Sequence, residues 1–168
     1  DVKYLLSAHY QGTDYDPYRA HDTGKRGMYR SIGINRTGVT SICQIRPYAP
    51  DAVKGLEWIC FGSMAFGVIV PVYTNTDTIP KYLSDVTLDT STENLYWGSR
   101  LIGVLADHHY PECIQNIERY QDAVMTEGRR IVRSYDKMIA ESGDTSLIPK
   151  ANEEICRMAK EQTISTLG

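Results

Sequence analysis

From Thr40 to Tyr73 the apolar residues fall in short β-branched runs closed by Gly or Pro, whereas from Leu95 onward they recur three, four or seven positions apart. The first pattern has the period of a pleated strand and the second that of a helix, so strands are expected in the first half of the chain and helices in the second. Three or four short strands are predicted, at Arg30–Asn35, Thr40–Ile45, Glu57–Gly62 and Val68–Tyr73. Antiparallel neighbours are the economical arrangement. Arg46–Asp51 is a connection, because Pro47 and Pro50 lack the N–H that a ladder needs. Ahead of the strands, Val2–Tyr10 predicts a short helix, followed by a long irregular segment through Gly27 of a kind usually functional or mobile.

A Pro- and Thr-rich connector leads from Thr74 to Thr92, and Ser91 or Thr92 is placed to N-cap a helix running to about His109. Leu95, Leu101, Ile102 and Leu105 are expected on its buried face. Pro111, acceptable in a first turn, starts the longest helix, which extends to Ser142 with Ile114, Ile117, Tyr120, Val124, Ile131, Tyr135 and Met138 as its apolar stripe and Gly143 as C-cap. A last helix is predicted from Pro149 to about Thr166, with Ile155, Met158, Ala159 and Ile164 available for packing. The pattern is that of one α+β domain over residues 1–168, with a helix and loop to 27, a β-rich segment over 28–75 and a helical segment over 92–168.

Composition narrows the class. At 168 residues, 42% apolar and 23% charged, the chain can bury a sizeable core, and no apolar run approaches the ~20 residues of a membrane-spanning helix. The net charge of −3, with both signs interspersed, gives no footprint for nucleic acid. Arg129, Arg130 and Arg133, with Glu127 and Asp136 beside them, predict a solvated helix face. Four widely spaced cysteines, Cys43, Cys60, Cys113 and Cys156, form neither a metal-type pair nor a disulfide framework. They are expected as small buried thiols in a reducing compartment, which points to the cytoplasm and away from a membrane.

Local catalytic motifs are scarce: there is no phosphate-binding loop, dinucleotide fingerprint or metalloprotease helix, and no metal or cofactor is expected. His108 and His109 adjoin Asp107, but neighbouring helical residues point apart, so a helix-end role is expected. His9 could serve as base to Cys43 or Cys60 in a thiol enzyme. Both cysteines are instead predicted to be buried and structural, because apolar burial raises a thiol pKa. Asn35, Arg36, Gln44, Ser63 and Asn75 punctuate the apolar runs as strand residues feeding a site do, yet none is a nucleophile. Arg36, ahead of Thr37-Gly38, can project into a cleft and offers a planar fork for a carboxylate. A chain opening on Asp1 without an initiator Met is expected to be part of a longer polypeptide.

Several runs together resemble the bacterial cysteine dipeptidases, N-terminal nucleophile hydrolases related to secernins. They are His9-Tyr10-Gln11-Gly12-Thr13, Tyr15-Asp16-Pro17-Tyr18, Gly33-Ile34-Asn35-Arg36-Thr37, Gln44-Ile45-Arg46-Pro47, Phe61-Gly62-Ser63 and Pro71-Val72-Tyr73-Thr74-Asn75. Asn94-Leu95-Tyr96-Trp97, Arg100-Leu101-Ile102 and Ala106-Asp107, with Tyr110 just after, continue the match in consistent order. The resemblance implies the C-terminal part of a four-layer αββα sandwich that hydrolyses dipeptides. Its nucleophile would be the thiol of an N-terminal cysteine, with the α-amino group as base; no cysteine here matches that position, so these residues alone are expected to be inactive. It further implies the N-terminal part of the same polypeptide as partner and admits a homo-oligomer. Arg36 and Asn35, then Asn75, become the candidates for substrate or oxyanion binding. The competing reading is a non-catalytic interaction or oligomerisation protein whose long helix and neighbours form the contact surface.

Overall fold

Three of the expected strands form in the computed structural model, which describes residues 1–168: β1 (Val39–Ile45), β2 (Gly55–Phe61) and β3 (Val70–Tyr73). They make one antiparallel sheet in the order β1-β2-β3, with Val39 opposite Phe61 and Trp58 between Ile42 and Pro71. The fold is α+β, with the strands preceding the long helices. Gly62 ends β2 at φ +79°, a left-handed conformation that glycine reaches without strain. The segment 62–70 that follows is buried throughout, so its carbonyls need partners inside the protein. The side-chain amide of Gln121 supplies them, facing the carbonyls of Met64, Ala65 and Gly67 at 3.1, 3.4 and 2.9 Å.

The strand predicted at Arg30–Asn35 does not form. Its alternation rests on Ile32 and Ile34 alone, and Gly33 between them docks on the chain after the first helix, α1 (Val2–Leu6). Gly33 N–H donates to Ala8 O at 2.8 Å, and Thr37 N–H turns back to Ile34 O at 3.1 Å. Backbone groups used in this way cannot join a ladder, and Ile32 is left exposed. The first helix itself stops at Leu6 rather than Tyr10, which has a left-handed φ of 61°.

The helical half comprises α2 (Lys81–Ser84), α3 (Leu95–His108), α4 (Tyr110–Ser142) and α5 (Leu147–Leu167). Asn94, not Ser91 or Thr92, caps α3: its side-chain oxygen accepts from Trp97 N–H at 2.9 Å. Leu95, Ile102 and Ala106 carry the buried stripe of α3, and Leu105, to the side of it, is exposed. On α4 the stripe is Ile117, Tyr120, Val124, Ile131 and Ile139, Met138 being exposed. Gly143 closes that helix at φ +69° as its sequence position predicts. The last helix starts at Leu147, two residues before Pro149, which sits in its first turn; Ile164 faces outward.

Helix α4 crosses one face of the sheet closely, since a Cβ on Gly128 would lie 3.0 Å from the Pro71 ring. Asn152 of α5 closes the free edge of β3, accepting from Tyr73 N–H at 2.8 Å and donating to Tyr73 O at 3.0 Å. One amide side chain thus satisfies the two groups that a fourth strand would otherwise pair. The opposite face is partly covered beside β3, whereas along β1 it leaves Val39 and Ile45 55% and 78% exposed. Cys43 belongs to that outer row and is exposed, contrary to the burial expected of it, because the alternation along β1 places it with Ser41 and Ile45. No helix is long and apolar enough to cross a membrane.

Candidate functional site

Two loops and one helix face converge on a cleft of about 540 Å³. The loops are clamped together: Gly62 N–H donates to Gly38 O at 2.8 Å, and the buried Ser63 hydroxyl donates to Gly33 O at 3.1 Å. Asn35 then fastens the first loop to the last turn of α3, its amide donating to Asp107 Oδ2 at 2.9 Å. Arg36 beside it lines the cleft, as do Ser99 and Arg100 of α3. Neither guanidinium takes part in an ion pair within the chain. The Ser99 hydroxyl is buried and has no hydrogen-bond partner.

Asn35, Arg36 and Asp107 also border a second cleft of about 760 Å³, walled by Tyr18, Arg30 and His108. Tyr18 stacks on Tyr110 with ring centres 4.4 Å apart, and His9 meets both rings edge-on at 5.2 and 5.3 Å. The Ser7 carbonyl can only accept, so His9 Nδ1 donates to it at 2.9 Å, and Nε2 shares a hydrogen bond with the Tyr110 hydroxyl at 2.9 Å. Burial, with the nearby Asp107 carboxylate adding to it, pushes the Tyr18 phenol above its ordinary pKa. Tyr110 is pushed up to about 12, again chiefly by burial. The two stacked phenols are thus an un-ionised wall beside the α3–α4 junction.

His9 is therefore committed to Ser7 and Tyr110 and activates neither cysteine. Cys60 is buried, as its apolar flanks predict, with its thiol pushed up to about 12 by burial and its sulfur 3.6 Å from Phe61 O. His108 and His109 stand exposed at the end of α3, their rings edge-on at 4.8 Å. Asn75 is not brought to the cleft: its amide donates to Ala52 O at 3.2 Å, beside a separate depression formed with Thr76 and the start of α5.

Asn35 and Arg36 are thus brought together, and three further residues join them that the search for candidates missed: Ser99, Arg100 and Asp107. For Arg100 and Asp107 the signal was present in the helical spacing, since Trp97, Arg100, Val104 and Asp107 recur at three and four along one flank of α3, whereas Ser99 belongs to the buried stripe. That flank lies beside the buried stripe, and only the docking of the loops turns it into a wall.

Residues 1–123 match peptidase family C69. A dipeptidase of Bifidobacterium longum is 42% identical over 163 residues, which is 96% of this chain and 30% of the relative. A probable dipeptidase A of Streptococcus pyogenes is 37% identical over 169 residues, covering 100% of this chain and 36% of its own length. A probable dipeptidase of Latilactobacillus sakei is 32% identical with the same coverage. The chain spans about a third of the length of the curated relatives it matches.

Proposed function

The chain belongs to peptidase family C69, and on that premise we propose that it forms part of an enzyme hydrolysing the peptide bond of dipeptides. The observation that carries the reading is the cleft in which Asn35, tied to Asp107, presents Arg36 without an ion-pair partner. The Asn35 amide has two hydrogens; one is committed to Asp107 and the other remains for a tetrahedral oxyanion. The Arg36 guanidinium orients a carboxylate or stabilises the surroundings of the nucleophile.

The attacking thiol is supplied by an N-terminal cysteine outside these residues. Its α-amino group takes the thiol proton and returns it to the leaving amine, and water then hydrolyses the acyl thioester, regenerating the thiol. In support, Cys60 and Cys156 are buried with thiols pushed up to about 12, and exposed Cys43 lies on the outer sheet face, away from the cleft. Val39 and Ile45, exposed on the outer face of β1, fit a second sheet laid over it by the rest of the polypeptide, completing a four-layer αββα sandwich. Asn75 lies on a separate depression, apart from this cleft. A cytoplasmic setting agrees with four free thiols.

Steady-state hydrolysis of dipeptides by the longer polypeptide, with and without Arg36→Ala, tests the reading. The variant is expected to lower kcat/KM at least about tenfold, the scale of ~1.4 kcal/mol of transition-state stabilisation. Unchanged kinetics in a folded variant removes Arg36 from the site. Residues 1–168 alone are expected to release no amino acid, and turnover by them overturns the assignment of the thiol to another segment.

A further inference from the structure

Ser99 lies inside α3, where a serine hydroxyl ordinarily returns to the carbonyl four residues back. Thr163 and Thr166 of α5 do so, at 2.8 Å each. Ser99 does not: its hydroxyl has no partner although the residue is only 3% exposed, an arrangement that costs stability and is uncommon in folded proteins. It lines the same cleft as Arg36 and Arg100. The cleft has one carboxylate, Asp107, and Asn35 already engages it. Two guanidiniums therefore line a space that lacks enough negative charge to satisfy them, and the orphan hydroxyl lies buried in its wall.

We infer that Ser99 and Arg100, together with Arg36, form the subsite that holds the free α-carboxylate of the substrate. The inference deepens the dipeptidase reading and rests on it. A carboxylate presents two oxygens and about four lone-pair directions, which a guanidinium fork and a hydroxyl can fill together. The Arg100 stem runs past Gly62, where its Cδ lies 3.9 Å from the position a Cβ would occupy, and its head stands 5.9 Å from the centre of the Tyr96 ring. That cation–π contact fixes the guanidinium while its N–H groups stay available.

This placement gives Arg100 a role in substrate length. In a dipeptide the α-carboxylate follows one residue after the scissile carbonyl. In a longer peptide that point carries a neutral amide, whose N–H opposes a donor and leaves the guanidinium charge unmatched.

The test compares a dipeptide with its C-terminal carboxamide as substrates of the longer polypeptide. Arg100→Met, which keeps an apolar stem on a partly exposed position, is expected to raise KM for the free acid at least about tenfold and not to raise it comparably for the amide, which makes no ion pair with the guanidinium. The acid-over-amide preference then collapses. Arg100→Lys is expected to restore part of it, and Ser99→Ala to weaken acid binding alone. An equal loss for acid and amide, or a preference that survives in Arg100→Met, overturns the subsite.

A binding measurement separates this failure from failure of the dipeptidase reading. Titrating the longer polypeptide, its N-terminal cysteine replaced by alanine so that nothing is cleaved, with glycylglycine and with glycylglycinamide, followed by backbone amide resonances, is expected to move Arg36, Ser99 and Arg100 for the acid only. Equal shifts, or none, reject the carboxylate subsite. If the longer polypeptide cleaves no dipeptide while these acid-selective shifts persist, the dipeptidase reading fails and the carboxylate site stands.

Discussion

Asp136 on α4 grips Arg46 at the end of β1 across ninety residues of sequence, both carboxylate oxygens meeting the guanidinium fork. Arg46 is only 4% exposed and also donates to Val53 O, while the Tyr73 hydroxyl lies 2.9 Å from Asp136 Oδ1. The carboxylate thus joins strand, connection and helix in one network. The expectation of a solvated face holds for Glu127 and Arg130, which pair on the surface, and fails for Asp136, which turns inward.

Removing one partner leaves a buried charge unmatched, which costs about 3–5 kcal/mol. Asp136→Ala is accordingly expected to shift the urea midpoint of residues 1–168 strongly downward. Asp136→Asn, which retains one acceptor, should lose less. A loss under about 1 kcal/mol in Asp136→Ala would show that water enters to solvate Arg46.

Gly33→Ala is expected to unseat the loop that carries Asn35 and Arg36. An added Cβ would stand 2.4 Å from Ser7 O, and the neighbour is backbone that cannot rotate away. The expected cost is about 1–3 kcal/mol, with amide exchange accelerated at Gly33. Protection at that amide, whose bond to Ala8 O is the contact at risk, is the measurement.

Alkaline pH should weaken the fold before acid does anything comparable at these groups. Burial raises the thiols of Cys60 and Cys156 from 9.0 to about 12 and the phenols of Tyr82 and Tyr110 from 10.0 to about 12. Each raised value means that the folded state favours the neutral form. Their contribution is therefore complete below about pH 9 and declines as pH rises through about 9 to 12, where the unfolded chain ionises first. Urea midpoints measured across that range are expected to fall steadily. At neutral pH, alkylation followed by mass spectrometry should label exposed Cys43 well ahead of Cys60 and Cys156.

Ser99→Ala is expected to stabilise the isolated chain by about 1 kcal/mol. It removes a buried hydroxyl that nothing satisfies and substitutes the best helix former. A raised midpoint alongside weakened carboxylate binding is the signature of a group kept for a ligand. Destabilisation would mean that the hydroxyl has a partner within the fold.

Much of the fold was legible along the chain because it rests on local periodicity. Three strands, the long helix with its Gly143 C-cap and the burial of Cys60 follow from patterns within a dozen residues. The misplaced strand at Arg30–Asn35 has a different cause: two alternating isoleucines look like a strand until Gly33 finds the α1 terminus. Cys43 went astray similarly, since alternation says which residues share a face but not which face is covered.

The sequence by itself determined that this is an α+β chain with an adjacent Asn35-Arg36 pair and the motifs of a peptidase family. Tertiary structure alone decided that Asp107 meets Asn35 across 72 residues, that Ser99 and Arg100 join Arg36 while Asn75 stays apart, and that Asp136 is a core partner of Arg46. The reason is physical: a helix period fixes which residues share a side within one element, but the partner of a side chain is set by how separate elements dock, and docking depends on the summed packing of the whole chain.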